Sequence, residues 1–126
     1  MSTDEIKSTV VNDYVHGAFN ETNIEAFREI FHQQFAIANP QDDGTLFFFT
    51  REMWQNVLEK RKANPDFDYS TIALTPKFRM IDEEKERAAV TLDLYLRDRV
   101  IYTDFLLLIK TAGNWKVVSK VYHEHK

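Results

Sequence analysis

The feature that most constrains this chain is a change of hydrophobic period near its middle. Up to Ala63 the apolar residues recur at helical spacing, and from Thr71 onward they alternate. Ile6, Val10, Tyr14 and Ala18, flanked by Val11, Val15 and Phe19, form one wide stripe on a first helix of about four turns. Ser2 and Glu5 stand at capping-box spacing at its start, and Gly17 weakens it slightly near its end. Thr22 and Glu25 repeat the box, and Ile24, Phe27, Ile30 and Phe31 predict a second helix to about His32. So short a connection predicts an antiparallel helix hairpin. Phe35–Ala38 and Leu46–Phe49 read as short strands around the turn Gln41–Gly44, with Asn39-Pro40 stopping the first. Thr50 then caps a third helix, Arg51–Ala63, with Met53, Trp54, Val57 and Leu58 inward and Asn64-Pro65 ending it. Four alternating runs follow: Thr71–Ile81, Arg87–Arg97, Val100–Lys110 and Trp115–Tyr122. The turns between them, Asp82–Lys85, Arg97–Arg99 and Ala112–Asn114, are short enough to make an antiparallel meander. Helices first and a sheet afterwards predict an α+β fold with the helices on one sheet face, and 126 residues make one domain, 1–126.

Composition removes several functions. The chain has no cysteine, so disulfides, thiolate nucleophiles and cysteine metal sites are absent. A net charge of −4 disfavours nucleic acid, whose phosphates need a basic face. No apolar run approaches the length of a membrane span, and the start MSTDEIKSTVV is too acidic for a secretory signal. A cytoplasmic protein is expected. His123 and His125 are spaced to share a metal, but no third ligand has suitable spacing, so neither a metal nor an organic cofactor is expected.

The strand faces carry the chemistry. With a two-residue turn near Asp98, strict alternation puts Leu92, Leu94, Leu96, Ile101, Thr103, Phe105, Leu107 and Ile109 on one face. The other then carries Thr91, Asp93, Tyr95, Arg97, Tyr102, Asp104, Leu106 and Leu108. Both faces are more apolar toward Lys110 than bulk water favours. A second copy of the chain on the face the helices leave bare, a homodimer through the sheet, would bury the surplus. The alternative is a single core that tolerates a few exposed leucines.

The element order, together with Asp13-Tyr14-Val15 and Gly17, Phe31-His32, Tyr102-Thr103-Asp104-Phe105 and the stretch from Gly113 to His123, resembles the nuclear transport factor 2-like superfamily over nearly the whole chain. Within it the chain is most similar to the group described as "putative lumazine-binding" proteins, near the SnoaL-like cyclases. That resemblance implies a conical fold in which a curved antiparallel sheet packed on three helices encloses a cavity. The outline is also similar to ketosteroid isomerase. Tyr14 and Asp104 would then fall where that enzyme keeps its oxyanion-hole tyrosine and hydrogen-bonding aspartic acid. Asn39 would fall where the enzyme keeps its carboxylate base, and a neutral amide cannot take a proton from carbon.

Candidate site residues follow from both readings. Asp104 has Leu106 and Leu108 as same-face neighbours and is either a cavity carboxyl or a solvated edge residue. A three-residue loop at Ala112–Asn114 would bring Tyr122 or Lys120 beside it, and a two-residue loop His123; the isomerase comparison favours the first. An Asp104–Lys120 pair suits binding a cation or acting as base; without it Asp104 could donate a hydrogen bond. Tyr14, in an apolar stripe, needs a partner for its hydroxyl. Phe35, Phe47, Trp54 and Tyr102 offer aromatic walls, and His32 is a candidate base or donor. Asp93, Arg97 and Arg79 with Asp104 either make an Asp–Arg–Asp set, as in epoxide-hydrolase relatives, or a salt-bridged rim. The function expected is a cavity that binds a flat, partly apolar small molecule through Tyr14 and Asp104. One rival is a dehydratase, cyclase or isomerase moving a proton next to a carbonyl, with Asp104 or His32 as base and Tyr14 as donor. Another is a non-catalytic dimeric interaction module.

Overall fold

A computed structural model of the chain describes residues 2–126. The first helix, α1, is α-helical over Ser2–Thr9 and continues as a π-helical segment over Val10–Asn20. The wider winding is visible in the Glu21 N–H, which donates to the His16 carbonyl five residues back at 2.9 Å. It turns Val10, Tyr14, Val15, Gly17 and Ala18 all inward. The cap expected at Ser2 rests on a side chain outside the described residues. The second helix, α2, is Ile24–Ile30, and its cap is Asn23 rather than Thr22: the Asn23 side chain accepts from the Ala26 N–H at 3.1 Å. Thr22 instead makes the corner, at φ 52°. Gly17 is where the two helices meet, since a Cβ there would stand 2.8 Å from both the Ala26 Cβ and the Asn12 carbonyl oxygen.

The chain leaves α2 directly into strand β1, Phe31–Pro40, longer than the expected Phe35–Ala38. Phe27, Phe31 and Phe35 are four apart, a spacing that suits a helix and equally one face of a strand, which is why the helix was expected to reach His32. Strand β2, Leu46–Thr50, returns beside β1, and Thr50 caps helix α3, Arg51–Ala63, through the Met53 N–H at 3.2 Å. Trp54 and Leu58 face the core, whereas Met53 and Val57, expected inward, are exposed. A short 3₁₀ turn, Tyr69–Ile72, occupies the expected start of the next strand, so β3 runs Thr75–Glu84. Strands β4 (Arg87–Leu96), β5 (Arg99–Thr111) and β6 (Asn114–Glu124) complete the meander.

The six strands form one sheet in the order β2-β1-β6-β5-β4-β3. Every pair is antiparallel except β1 and β6, which run parallel because β1 enters the sheet from the helices. The meander's three hairpins turn on two residues each, with Lys85, Glu86, Arg97, Ala112 and Gly113 at positive φ. Each hairpin then carries a register shift: at Arg79 in β3, at Ile101 in β5 and at Val118 in β6. One extra residue on one strand bends it and increases its twist. Three such shifts in adjacent hairpins curve the sheet around the helices into the α+β cone.

These shifts also correct the expected faces. Alternation from the Asp98 turn pairs Leu92 with Thr103, but the extra residue at Ile101 pairs Leu92 with Asp104 and Leu94 with Tyr102. The inner face is therefore Val90, Leu92, Leu94, Tyr102, Asp104, Leu106 and Leu108, and the outer face carries Asp93, Thr103, Phe105, Leu107 and Ile109. Asp93 and Asp104 lie on opposite faces, so they form no Asp–Arg–Asp set. Asp93 instead accepts from the Thr103 hydroxyl at 2.6 Å and pairs with Arg79 at 3.0 Å on the outer face.

Candidate functional site

The inner face of the sheet is apolar row by row until it meets two charged side chains. One row crosses the sheet as Ile81, Val90, Leu106, Lys120, Ile37 and Phe49; the next places Phe78, Leu92, Asp104 and Tyr122 side by side. Lys120 and Asp104 are thus diagonal neighbours on adjacent strands. The hairpin between β5 and β6 turns on two residues, Ala112-Gly113, which by strict alternation would put Val121 opposite Asp104; the extra residue at Val118 moves the register on by one, so Tyr122, and not the His123 expected for a two-residue loop, faces Asp104. The burial along β6 shows this shift. Trp115 and Val117 are buried two apart, and the next buried position, Lys120, is three further on.

Above this pair the π-helical part of α1 brings Tyr14 down onto the sheet. Its hydroxyl donates to Asp104 Oδ2 at 2.5 Å and accepts from Lys120 Nζ at 2.8 Å. Lys120 Nζ stands 3.6 Å from Asp104 Oδ2, too far for a direct hydrogen bond but within ion-pair range. Asp104 Oδ1 is buried with no hydrogen-bond partner. All three residues are buried: Tyr14 is 0% exposed, Asp104 1% and Lys120 6%. Burial, then the charge and hydrogen bond of Asp104, hold the Tyr14 phenol well above its ordinary value of 10.0. Burial pulls the Lys120 amine below its ordinary 10.5, against the opposing pull of Asp104. Three aromatic rings surround the lysine head, with Nζ 4.8 Å from the centre of Trp54 and 5.1 Å from those of Tyr14 and Tyr122.

The lysine head lies at the floor of a pocket of about 290 Å³. The helices contribute Tyr14, Phe19 and Trp54; β1 and β2 contribute Ile37, Asn39, Phe47 and Phe49; β5 and β6 contribute Tyr102, Lys120 and Tyr122. Of the side chains expected around a cavity, the structure gathers Tyr14, Phe47, Trp54, Tyr102, Lys120 and Tyr122. Asp104 stands behind Tyr14 and Lys120 rather than on the wall. Phe35 is a core residue, its ring 4.6 Å from Phe31 and 6.0 Å from Trp54. His32 lies away from the pocket, its Nδ1 accepting from the Gln34 N–H at 3.0 Å. His123 is exposed, with its ring 4.6 Å from that of His125. The outer-face parity of β6 takes it away from the pocket. Among the described residues no carboxylate or imidazole lines this pocket, and no group of three His, Cys, Asp or Glu is placed to hold a metal. No described helix is long and apolar enough to cross a membrane. Phe19, Ile37 and Phe49 were missed as pocket residues: in the sequence they read as ordinary core positions, and only the curvature of the sheet leaves space above them.

The architecture is shared with solved proteins. A nuclear transport factor 2-like protein of unknown function from Shewanella baltica is 24% identical, with 100% of this chain and 98% of that one covered and a TM-score of 0.73. One from Silicibacter pomeroyi is 20% identical over 99% of each chain, with a TM-score of 0.72. The CaMKII hub of S. rosetta is 14% identical over 94% of this chain and 95% of its own, with a TM-score of 0.64. No curated protein matches the chain. The model of the family described as "Putative lumazine-binding" matches residues 2–123. The chain belongs to that family, on the nuclear transport factor 2-like fold.

Proposed function

We propose that this chain binds a flat, partly apolar small molecule in the pocket between α1, α3 and the inner sheet face, with the polar edge of the ligand on Lys120 and the Tyr14 hydroxyl. The observation that carries this reading is the contrast in the pocket's lining: seven aromatic side chains, among them Phe47, Phe49, Trp54 and Tyr122, and one buried amine. Few polar groups at the end of an apolar cleft fix orientation, while the rings supply contact area. Asp104 takes part from behind, by holding Tyr14 and Lys120 in place. Proton abstraction from a carbon acid is the weaker reading, because among the described residues the pocket is lined by the neutral amide of Asn39 and by no carboxylate or imidazole.

The family's description makes lumazine, a bicyclic ring system edged with carbonyl oxygens, the first ligand to test. Calorimetric titration should give saturable binding of one lumazine per chain, and Lys120→Met should weaken it by about tenfold or more, the cost of about one charge-assisted hydrogen bond. Absence of heat with lumazine and with other flat heterocyclic carbonyl compounds would remove the proposal.

The outer face of the sheet supports a second copy of the chain as partner. Met80, Thr91, Phe105 and Val121 stand side by side across β3 to β6, and Phe48 continues the apolar surface on β2. Met80, Phe105, Val121 and Phe48 are each more than 40% exposed. The sheet's five inter-strand gaps span about 24 Å at ~4.8 Å each. An exposed apolar surface of that width is better covered by a two-fold partner than by bulk water.

A further inference from the structure

We infer that Lys120 is an amine nucleophile, which condenses with the aldehyde carbonyl of a flat aromatic ligand in the pocket to form a covalent imine. The inference rests on the pocket reading above and adds the chemical class of ligand and the bond it makes.

Three features of the geometry carry it. The first is proton direction: Lys120 Nζ donates to the Tyr14 oxygen at 2.8 Å, and the Tyr14 hydroxyl donates to Asp104 Oδ2 at 2.5 Å. A proton leaving the lysine therefore has a two-step path to a carboxylate that is not itself in the pocket. The second is the lysine's surroundings. An ammonium has three hydrogens to place; here one meets the Tyr14 oxygen, Asp104 Oδ2 stands at 3.6 Å, beyond hydrogen-bond reach, and the rest of the head faces three aromatic rings at 4.8 to 5.1 Å. A neutral amine has one N–H fewer to satisfy and offers a lone pair toward the space the ligand would fill. The third is charge. Among the described residues Lys120 is the one charged residue on the pocket wall, and Asp104 behind it balances its charge. A pocket of zero net charge has little to attract a free anion, whereas an uncharged carbonyl enters it without a desolvation penalty on a full charge. Desolvation also lowers the lysine's affinity for its proton, in the direction nucleophilic lysines require.

The step balances within these groups. The Lys120 ammonium passes a proton to the Tyr14 oxygen as the Tyr14 hydroxyl proton moves to Asp104 Oδ2. The freed lone pair attacks the aldehyde carbon, the C–N bond forms, and the carbonyl π pair moves to oxygen. The proton held on Asp104 returns through Tyr14 to that oxygen, and a second, from the new N–H, completes water. Water leaves as the C=N double bond forms. No oxidant or metal is needed. The titratable groups facing the lysine are Tyr14 from α1, Asp104 and Tyr102 from β5, and Tyr122 from β6; α3, β1 and β2 contribute Trp54, Ile37, Asn39, Phe47 and Phe49, none of which titrates.

The test is reductive trapping of the full chain with benzaldehyde and cyanoborohydride, read by intact mass and peptide mapping. The inference predicts one benzyl group on Lys120, added faster than on exposed lysines such as Lys60 and Lys77, because a lowered pKa leaves a larger free-amine fraction. The labelling rate should rise with pH through a midpoint below 10.5. Tyr14→Phe, with its fold checked by circular dichroism, should slow trapping at Lys120 by about tenfold or more while leaving Lys60 and Lys77 unchanged. Labelling spread evenly over the surface lysines and the terminal amine overturns the inference, as does a Tyr14→Phe variant that is folded and traps at the wild-type rate. Lumazine calorimetry run alongside separates the two levels. Lumazine bound without preferred trapping at Lys120 overturns the imine alone, and failure of both overturns the pocket reading beneath it.

Discussion

At the scale of single residues, the site is a hydrogen-bonded chain of three buried groups, and its middle member matters most. Tyr14→Phe keeps the ring packed against Phe31 and Trp54 but strands both the Lys120 amine and Asp104 Oδ2. A loss of about 1–3 kcal/mol in chemical denaturation is expected for partners left unpaired out of water. Asp104→Ala should cost more, about 3–5 kcal/mol, because it leaves a buried lysine without its counter-charge. The two titrations in the site act oppositely with pH. Lys120 loses its proton more readily folded than unfolded, so the penalty for burying it is full at neutral pH. Stability from this group rises as pH climbs through its lowered value toward the unfolded 10.5. Tyr14 holds its proton more tightly when folded, so its contribution is intact below 10.0 and fades above it. The wild type should therefore gain melting temperature relative to Lys120→Met as pH rises toward 10; a constant difference would mean the lysine titrates normally. Both charged members were legible in the sequence as polar residues in apolar runs. Their contact was one of the alternatives the loop length left open, because it depends on Val118, whose role as an extra residue no alternation pattern announces.

The element scale is where the sequence was most informative and also where it failed in one consistent way. Helix α3 stands where expected because Thr50 has a side-chain oxygen to cap it and Asn64-Pro65 ends it. The meander stands because four apolar alternations with short turns leave few other solutions. The expected faces were wrong because strict alternation was carried through positions where one strand holds an extra residue. That single omission exchanges inside for outside along all of β5 relative to β4. Deleting Val118 removes the extra residue and lets β6 alternate regularly, so Lys120 stays opposite Leu106 on the inner face while the local bend and twist that open the pocket are lost. Weaker lumazine binding and a lower melting temperature are expected from the flattened strand, while a deletion variant that binds and melts like the wild type would disprove the role given to the extra residue. Gly17 poses the corresponding test in the helices. Alanine is the better helix former by about 1 kcal/mol, but its Cβ would press on Ala26 Cβ and the Asn12 carbonyl oxygen at 2.8 Å, neither of which moves freely. Gly17→Ala should therefore destabilise by about 1–3 kcal/mol in urea titration, and a stabilised variant would show that α1 and α2 do not meet closely there.

For the whole molecule, the curved sheet does two jobs with its two faces. Its concave side holds the helices and the pocket, and its convex side is left apolar across four or more strands. If a second copy covers that side, Phe105→Glu places a charge at the centre of the contact and should shift sedimentation from dimer to monomer, with the pocket and lumazine affinity unchanged. A wild-type chain that sediments as a monomer at all concentrations would end the dimer reading and leave the pocket reading standing. The expectation of a second copy came from apolar residues on both faces, and that surplus survives the correction of which residues belong to which face. What no pattern in the sequence reveals is the space itself. A cavity is a property of curvature, and curvature here comes from three extra residues in three strands. The most direct test of the account is therefore a crystal structure of the chain grown with lumazine. The account predicts ligand density between Trp54 and Phe47 with a carbonyl oxygen within hydrogen-bond distance of Lys120 Nζ, and a pocket filled by collapsed side chains, or a Lys120 head turned out to solvent, would contradict it.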